Sequence, residues 1–465
     1  MRLNQIKEKY VLLLIMLVCA AFIFICIKKG HNWGGDFSLY IAQAKSINNS
    51  SVHRLYELNK YSMDHSIRDI GPYLYPFGFP VLLSPVYYLF GINFIVMKWF
   101  CSLFFLFSLP LIFKLFRKEF QNSFYVFFII VIIAFNAEFI TFCDNILSDF
   151  PFLFFSLLSI LLMKRENTIF NQLILGMGVY FSYFIRDIGI VLVPTLMLFH
   201  FYLFVTQRSA IKNKVYYLIP YFVFGLFFIS ASLLLPMGGQ NHYSMLAEHL
   251  SIEQIRENIF YYSELLSIFF AGTFSFLALL PFILLIISGM HATWRETFYL
   301  HAYIILTLAV LLIWPASQGL RFLFPVLPFL LFFMLKGFLF LFEKFRLPQL
   351  YFIFLLIIYA GFSIPQNLKS VIAFSKKESN QCYTPETIQI YSYISKNIPR
   401  SETVGFVKPA VLRLFTDVNS IYIDEAHFAA SPATYFLTDK NTGTDTTNRY
   451  PVVYESENYI LVKKQ

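Results

Sequence analysis

The chain has 465 residues; 58% are hydrophobic, 14% are charged, and the net charge is +9. An ordinary soluble domain carries about 25% charged residues. With a mean hydropathy of +0.62, this composition excludes a string of soluble domains and predicts a polytopic membrane protein. The basic residues fall in short groups between apolar runs and form no single polar face, so they read as topology signals and not as a nucleic-acid surface. The five cysteines, Cys19, Cys26, Cys101, Cys143 and Cys382, form neither a CxxC site nor a disulfide framework.

Runs of about 20 apolar residues match the hydrocarbon thickness of a bilayer. In chain order they predict spans near 10–28, 94–114, 123–141, 149–163, 169–185, 188–205, 215–235, 263–288, 297–314, 321–342 and 349–365. The expected fold class is therefore an all-α polytopic membrane bundle of about eleven transmembrane helices. The first run lacks a small-residue cleavage site and reads as a retained signal anchor. Basic residues flank alternate loops: Arg2, Lys7 and Lys9, then Lys114, Arg117 and Lys118, Lys164 and Arg165, Arg208, Lys212 and Lys214, Arg295, and Lys344 and Arg346. They place the N-terminus in the cytoplasm of a plasma (inner) membrane protein. The loop 29–93, the turns at Asp144–Asp149, Arg186-Asp187 and Pro315–Arg321, the loop 236–262 and the tail then lie outside. The expected domains are a transmembrane unit, 1–365, and a small extracytoplasmic α/β unit, 366–465. In the tail, Thr384 and Pro385 predict a helix start, and 403–407, 433–437 and 451–463 read as strands. No internal or inverted repeat is seen, which weighs against many secondary transporters.

The outer loops hold the candidate chemistry. Gly34-Gly35-Asp36 opens a segment with apolar residues at Phe37, Tyr40, Ile41, Ala44 and Ile47. That spacing predicts a helix lying on the membrane surface with one apolar face. Asp36 then either caps this helix or acts as a base at the membrane boundary, and the two roles are compatible. The Pro-rich stretch from Pro72 to Phe90 fits a shallow interfacial helix, or a plain connector. Asp144 and Asp149 sit at the mouth of a span, as functional carboxylates or as caps. Arg186 and Arg321 face the same boundary, as phosphate ligands or as an ion-pair partner and a snorkelling side chain. His53, His65, His242, His249, His427, Asp64 and Asp69 show no metal-ligand spacing, and no Walker loop, GxSxG elbow, HExxH or dinucleotide fingerprint is present.

Taken together, four segments resemble the GT-C membrane glycosyltransferases of the protein mannosyltransferase and aminoarabinose transferase type. These are Gly35-Asp36 with Tyr40, Tyr75-Pro76-Phe77-Gly78-Phe79-Pro80 running on to Gly91, Ser148-Asp149-Phe150-Pro151, and the pair Arg186-Asp187-Ile188-Gly189 and Arg321-Phe322-Leu323-Phe324-Pro325. Many members carry an acidic pair after the first span, whereas Phe37 follows Asp36 here. Either Asp144 or Asp149 matches the second acidic segment. The resemblance implies a GT-C bundle and transfer of a sugar from a polyprenyl-phosphate donor to a glycan, lipid or protein acceptor. It implies catalytic roles for Asp36, as general base, and Asp149. It also implies substrate-binding roles for Tyr40, Tyr75, Asp144, Arg186 and Arg321. Cationic side chains can neutralise a phosphate leaving group, so a divalent metal is optional. The competing expectation is a transporter, flippase or polysaccharide polymerase without this site.

Overall fold

The computed structural model describes residues 2–206, 214–236, 251–377, 381–440 and 449–464. Arg208, Lys212, His242, His249 and most of the loop 236–262 lie outside the described residues.

The chain enters through α1 (Arg2–Cys26). Three helices then fill the first long loop: α2 (Asp36–Asn48), α3 (Val52–Asp64) and α4 (Gly78–Phe90). The bundle continues with α5 (Phe94–Phe116), α6 (Phe124–Ala134), α7 (Ala137–Phe142), α8 (Asp149–Met163), α9 (Ile169–Ile185), α10 (Leu192–Thr206) and α11 (Ile219–Leu234). It closes with α12 (Ile252–Ala271), α13 (Phe276–Thr293), α14 (Phe298–Ile313), α15 (Leu327–Lys344) and α16 (Gln349–Ser375). Among the described residues, six helical segments are long and apolar enough to cross a membrane, from Lys7–Cys26 to Gln349–Ser375, and five further apolar helices are shorter. Their outer faces are apolar and uncovered, as at Phe24 (69% exposed) and Phe362 (78%). In water such faces would be a liability, whereas in a bilayer lipid covers them. The protein is a multi-pass membrane protein.

Three predicted spans differ from the structure. The run 123–141 is broken into α6 and α7, because the Asn136 side chain caps Glu138 N–H (3.0 Å). Asn367 also accepts from Ala137 N–H (2.8 Å), so the freed backbone donors are satisfied within protein. The run 263–288 is not one helix. It breaks between α12 and α13, where Gly272 adopts φ +68 and the Ser267 hydroxyl donates to the carbonyl of Thr273 (2.6 Å). Apolar residues on both sides of that turn hide it from a hydropathy reading. The last helix does not stop at 365; it runs through Pro365 to Ser375. Packing is tightest where α13 crosses α15. A side chain at Gly289 or Gly337 would strike the backbone of the facing helix, so these two glycines let the helices touch backbone to backbone.

The tail forms α17 (Pro385–Asn397), β1 (Thr403–Gly405), α18 (Pro409–Thr416), β2 (Asn419–Ile421), α19 (Glu425–Phe428), β3 (Tyr435–Asp439), β4 (Val452–Glu455) and β5 (Tyr459–Lys463). Thr384 starts α17 with a capping box in which its hydroxyl accepts from Thr387 N–H (3.1 Å). The sheet order is β2-β1-β3-β5-β4. β1 pairs in parallel with β2 and β3, and β5 runs antiparallel to β3 and β4. α18 and β2 went unrecognised in the sequence, because one is short and the other is a three-residue strand. The tail seats directly on the first loop. Cys382 N–H donates to the His31 carbonyl (3.2 Å), and Lys45 pairs with Asp417 (2.7 Å).

That seating changes the reading of α2. Beyond the apolar face that its spacing predicts (Phe37, Tyr40, Ile41 and Ala44), Ser38, Leu39, Gln43 and Ser46 are buried as well. The helix is clamped between α4 on one side and α18 on the other.

Candidate active site

Five chain segments converge at the end of the bundle that carries the tail. α2 contributes Asp36 and Tyr40, the segment before α4 contributes Tyr75, the start of α8 contributes Asp149, and the breaks after α9 and α14 contribute Arg186 and Arg321. Together they line a cavity of about 540 Å³. Its apolar wall comes from Ile185, Ile188, Val310, Leu311 and Trp314.

Local structure explains each position. Gly35, not Asp36, occupies the N-cap of α2, and Asp36 is the first helical residue. Its carboxylate makes no capping bond and favours the positive end of the helix, but it is aimed into the cavity. Tyr75 donates its phenolic hydrogen to Asp36 Oδ1 (2.9 Å). Burial, and then the neighbouring Asp36 charge, raise the Tyr75 pKa far above that of a free phenol, so Tyr75 stays a hydrogen-bond donor. Tyr75 is held from both sides. Its ring stacks on Tyr40 (4.4 Å), and its backbone exchanges hydrogen bonds with the Gln43 amide (2.8 and 3.1 Å).

Asp36 Oδ2 faces Arg321 at 3.5 Å, and Arg321 also hydrogen-bonds Gln318. Across the cavity Arg186 pairs with the buried Asp149. Burial opposes the Arg186 charge, but the fields of Asp149, Tyr40 and Asp36 outweigh it and raise its pKa. Both guanidinium groups lie over one ring, Phe322, at 5.1 Å for Arg186 and 5.7 Å for Arg321. Phe324 anchors this arrangement from below. It stacks on Phe139 (4.0 Å) and Phe150 (5.6 Å), tying the Arg321 segment to the start of α8 beside Asp149. Gly78 sets the remaining approach. A side chain there would lie 2.5 Å from the Phe184 backbone, so only glycine lets α4 rest on the last turn of α9, next to Arg186.

Six of the seven residues singled out in the sequence therefore meet in one cavity. Asp144 is the exception and is not a cavity residue. Its carboxylate accepts from buried Lys98 (2.6 Å) and from Lys28 N–H (2.7 Å). Lys98 also donates to the carbonyls of Lys28 (3.1 Å) and Gly30 (2.6 Å). This pair braces the chain between α1 and α2. Lys98 went unnoticed in the sequence, although a lone lysine inside an apolar span must find a partner. Gln318 and Phe322 were missed as well, since neither residue type signals a role without its neighbours.

Among the described residues no group of three or more His, Cys, Asp or Glu could hold a metal ion. Four carboxylates line the cavity, Asp36, Asp69, Asp149 and Asp187; of these, Asp36 and Asp149 are each engaged by an arginine.

The model of the dolichyl-phosphate-mannose-protein mannosyltransferase family matches residues 50–234. That stretch contains Tyr75, Asp149 and Arg186; Asp36 and Arg321 lie outside it. No curated protein matches the chain by sequence. Among solved structures, the chain is similar to ArnT from Cupriavidus metallidurans in its apo state, at 11% identity and a TM-score of 0.57 over 98% of both chains. It is also similar to the same protein bound to undecaprenyl phosphate, at 11% identity and a TM-score of 0.56 over 97% of both chains. The apo oligosaccharyltransferase of Archaeoglobus fulgidus matches at 10% identity and a TM-score of 0.60, over 95% of this chain and 71% of the other. The chain thus carries the GT-C glycosyltransferase fold over nearly its whole length, and a segment similar to the dolichyl-phosphate-mannose-protein mannosyltransferase family within it.

Proposed function

We propose that this protein is an integral-membrane glycosyltransferase. It moves a sugar from a polyprenyl-phosphate donor to a glycan, lipid or protein acceptor on the extracytoplasmic face. The observation that carries this reading is the pairing, in one cavity, of a carboxylate with two convergent guanidinium groups beside an apolar wall. The fold it shares with a protein solved bound to undecaprenyl phosphate, and the alternation of basic groups along the chain, support the lipid donor and the sidedness.

The chemistry follows from the charges. The donor's phosphate enters between Arg321 and Arg186, while its prenyl chain lies along the apolar wall in the bilayer. Arg321 then exchanges its long contact with Asp36 for the phosphate oxygens, which match its planar fork. Released from that pair and still held by Tyr75, Asp36 faces the acceptor hydroxyl. The acceptor oxygen attacks the anomeric carbon from the side opposite the phosphate. The new glycosidic bond forms, the carbon–oxygen bond to phosphate breaks, and Asp36 takes the acceptor proton. The lipid phosphate departs with its charge stabilised by the two guanidinium groups. Asp149 is a positioning residue in this scheme, since it acts through Arg186. The mechanism needs no metal: two guanidinium groups supply the positive charge that a leaving phosphate requires.

The test is transfer of radiolabelled sugar from polyprenyl phosphate by purified protein in liposomes. Asp36→Asn keeps the side-chain shape and should lower turnover by about 10²–10⁴-fold, the usual contribution of a general base. Wild-type rates in that variant would remove Asp36 from the chemistry. Absence of transfer by the wild-type protein, with translocation of the lipid-linked sugar instead, would favour the transporter or flippase reading.

A further inference from the structure

A second cavity, of about 340 Å³, opens on the other side of α2, between the α2–α3 turn and α18. Its charged lining is Lys45, Arg54, Arg400, Arg413 and Asp417, four cations to one carboxylate. Asp417 is already shared by Lys45 (2.7 Å) and Arg400 (4.0 Å). Arg413 is only 6% exposed, and its guanidinium donates to the Leu58 carbonyl (3.1 Å) and to the Asn59 side-chain oxygen. Both acceptors are neutral. Among the described residues neither Arg413 nor Arg54 has a carboxylate within ion-pair distance. Burial pushes the Arg413 pKa down to about 10, with no acidic group to pull it back. A buried cation without a counter-charge is costly, and folds retain one where a ligand supplies the missing charge.

Two further features point the same way. The cavity includes Ser51, the N-cap of α3, whose side chain makes no capping hydrogen bond. The amide groups of the first turn of this 13-residue helix therefore add positive potential. Ser46 and Asn49, from the end of α2 next to Ser51, also line the cavity.

We propose that this second cavity is an oxyanion subsite, binding a phosphate group of a molecule other than the donor held in the first cavity. Lys45 lies nine residues after Asp36 on the same helix, roughly 13 Å along its axis at 1.5 Å per residue. A phosphorylated substrate anchored at Lys45, Arg54 and Arg413 has its anionic group held well away from the reacting carbons. A soluble phosphorylated glycan and a phosphorylated lipid headgroup share this chemistry. The subsite rests on charge and burial alone and stands or falls separately from the role of Asp36.

Inorganic phosphate is the probe. Its binding to the purified full-length protein is followed by thermal stabilisation, against chloride at equal ionic strength. Arg321→Gln weakens the first cavity and should leave a phosphate site intact. Lys45→Gln/Arg54→Gln/Arg400→Gln should raise the phosphate Kd at least about tenfold, the effect of losing roughly 1.4 kcal/mol of binding free energy. Arg54→Gln alone, an exposed change that leaves the Asp417 pairs in place, should weaken binding in the same direction. In phosphatidylcholine nanodiscs, competition by added phosphatidic acid would identify a lipid headgroup as the source, and phosphate binding unaffected by it a soluble one. Unchanged phosphate affinity in the triple variant, or stabilisation no greater than chloride gives, would overturn the proposal.

Discussion

Asp144 and Asp149 stand five residues apart, Asp144 joined to Lys98 of α5 and Asp149 to Arg186 just after α9, yet only Asp149 lines the cavity. The Lys98–Asp144 pair is closed: its side chains are 0% and 5% exposed, and backbone carbonyls fill the remaining donors of Lys98. The Asp36–Arg321 pair, which shares a cavity with Asp149, is open: its side chains are 42% and 17% exposed and its ions are 3.5 Å apart. A closed, saturated pair has no bond left to give a substrate, so it holds the loop. An open, long pair can exchange one partner for another at small cost, and that exchange is what a phosphate-binding step requires.

Four experiments put this contrast to the test. The largest effect belongs to the closed pair. Lys98→Met leaves Asp144 charged and unmatched inside the protein and should cost about 3–5 kcal/mol of stability. Adding Asp144→Leu removes both charges and should recover most of it, as read by thermal unfolding in detergent. A double variant as unstable as the single one would show that the pair does more than neutralise itself.

At the open pair the effect should move from stability to rate. On the proposed mechanism, Arg321→Gln removes one cation from the leaving phosphate and should reduce transfer by about 10²–10³-fold. Its melting temperature should stay close to wild type, and Arg321→Lys should recover part of the rate. A variant that unfolds like Lys98→Met would place Arg321 with the structural residues.

Gly78→Ala probes the link between the two regions. The added methyl has no room against Phe184, so α4 must shift, at about 1–3 kcal/mol. Arg186 lies two residues beyond Phe184, so sugar transfer should fall along with stability. Unaltered transfer would mean that α4 does not position Arg186.

The last experiment concerns pH. His31, buried between Phe37 and the Lys98 brace, is held neutral. Burial, and then the nearby Lys98 charge, bring its pKa down to about 3. The unfolded chain takes up a proton below about 6.5, while the folded protein does not until near 3. The His31 contribution is therefore complete above pH 6.5 and is lost as pH falls toward 3. Its slope is at most about 1.4 kcal/mol per pH unit. His31→Phe should flatten that part of the stability profile, and an unchanged profile would show that another group sets it.

How legible was all this in the sequence? Hydropathy and basic residues are local properties, so the bundle, the α/β tail and the Thr384 helix start could be read directly. Breaks inside apolar runs could not, because the turn at Gly272 and the cap at Asn136 leave hydropathy unchanged. Six cavity residues could be picked out because charges and aromatic residues at span ends stand out against apolar surroundings. Their partners could not, since Tyr75 and Asp36 are 39 residues apart and Arg321 is far beyond both.

Hydropathy along the chain already says which segments need lipid and where polar groups gather, because transfer free energy is a sum over neighbouring residues. Tertiary packing is what separates the carboxylate saturated inside the fold from the one left open in a cavity. Pairing, burial and exposure depend on what lies opposite in space. Asp144 met Lys98 and was saturated; Asp36 met Arg321 at arm's length, with Tyr75 holding it toward the cavity.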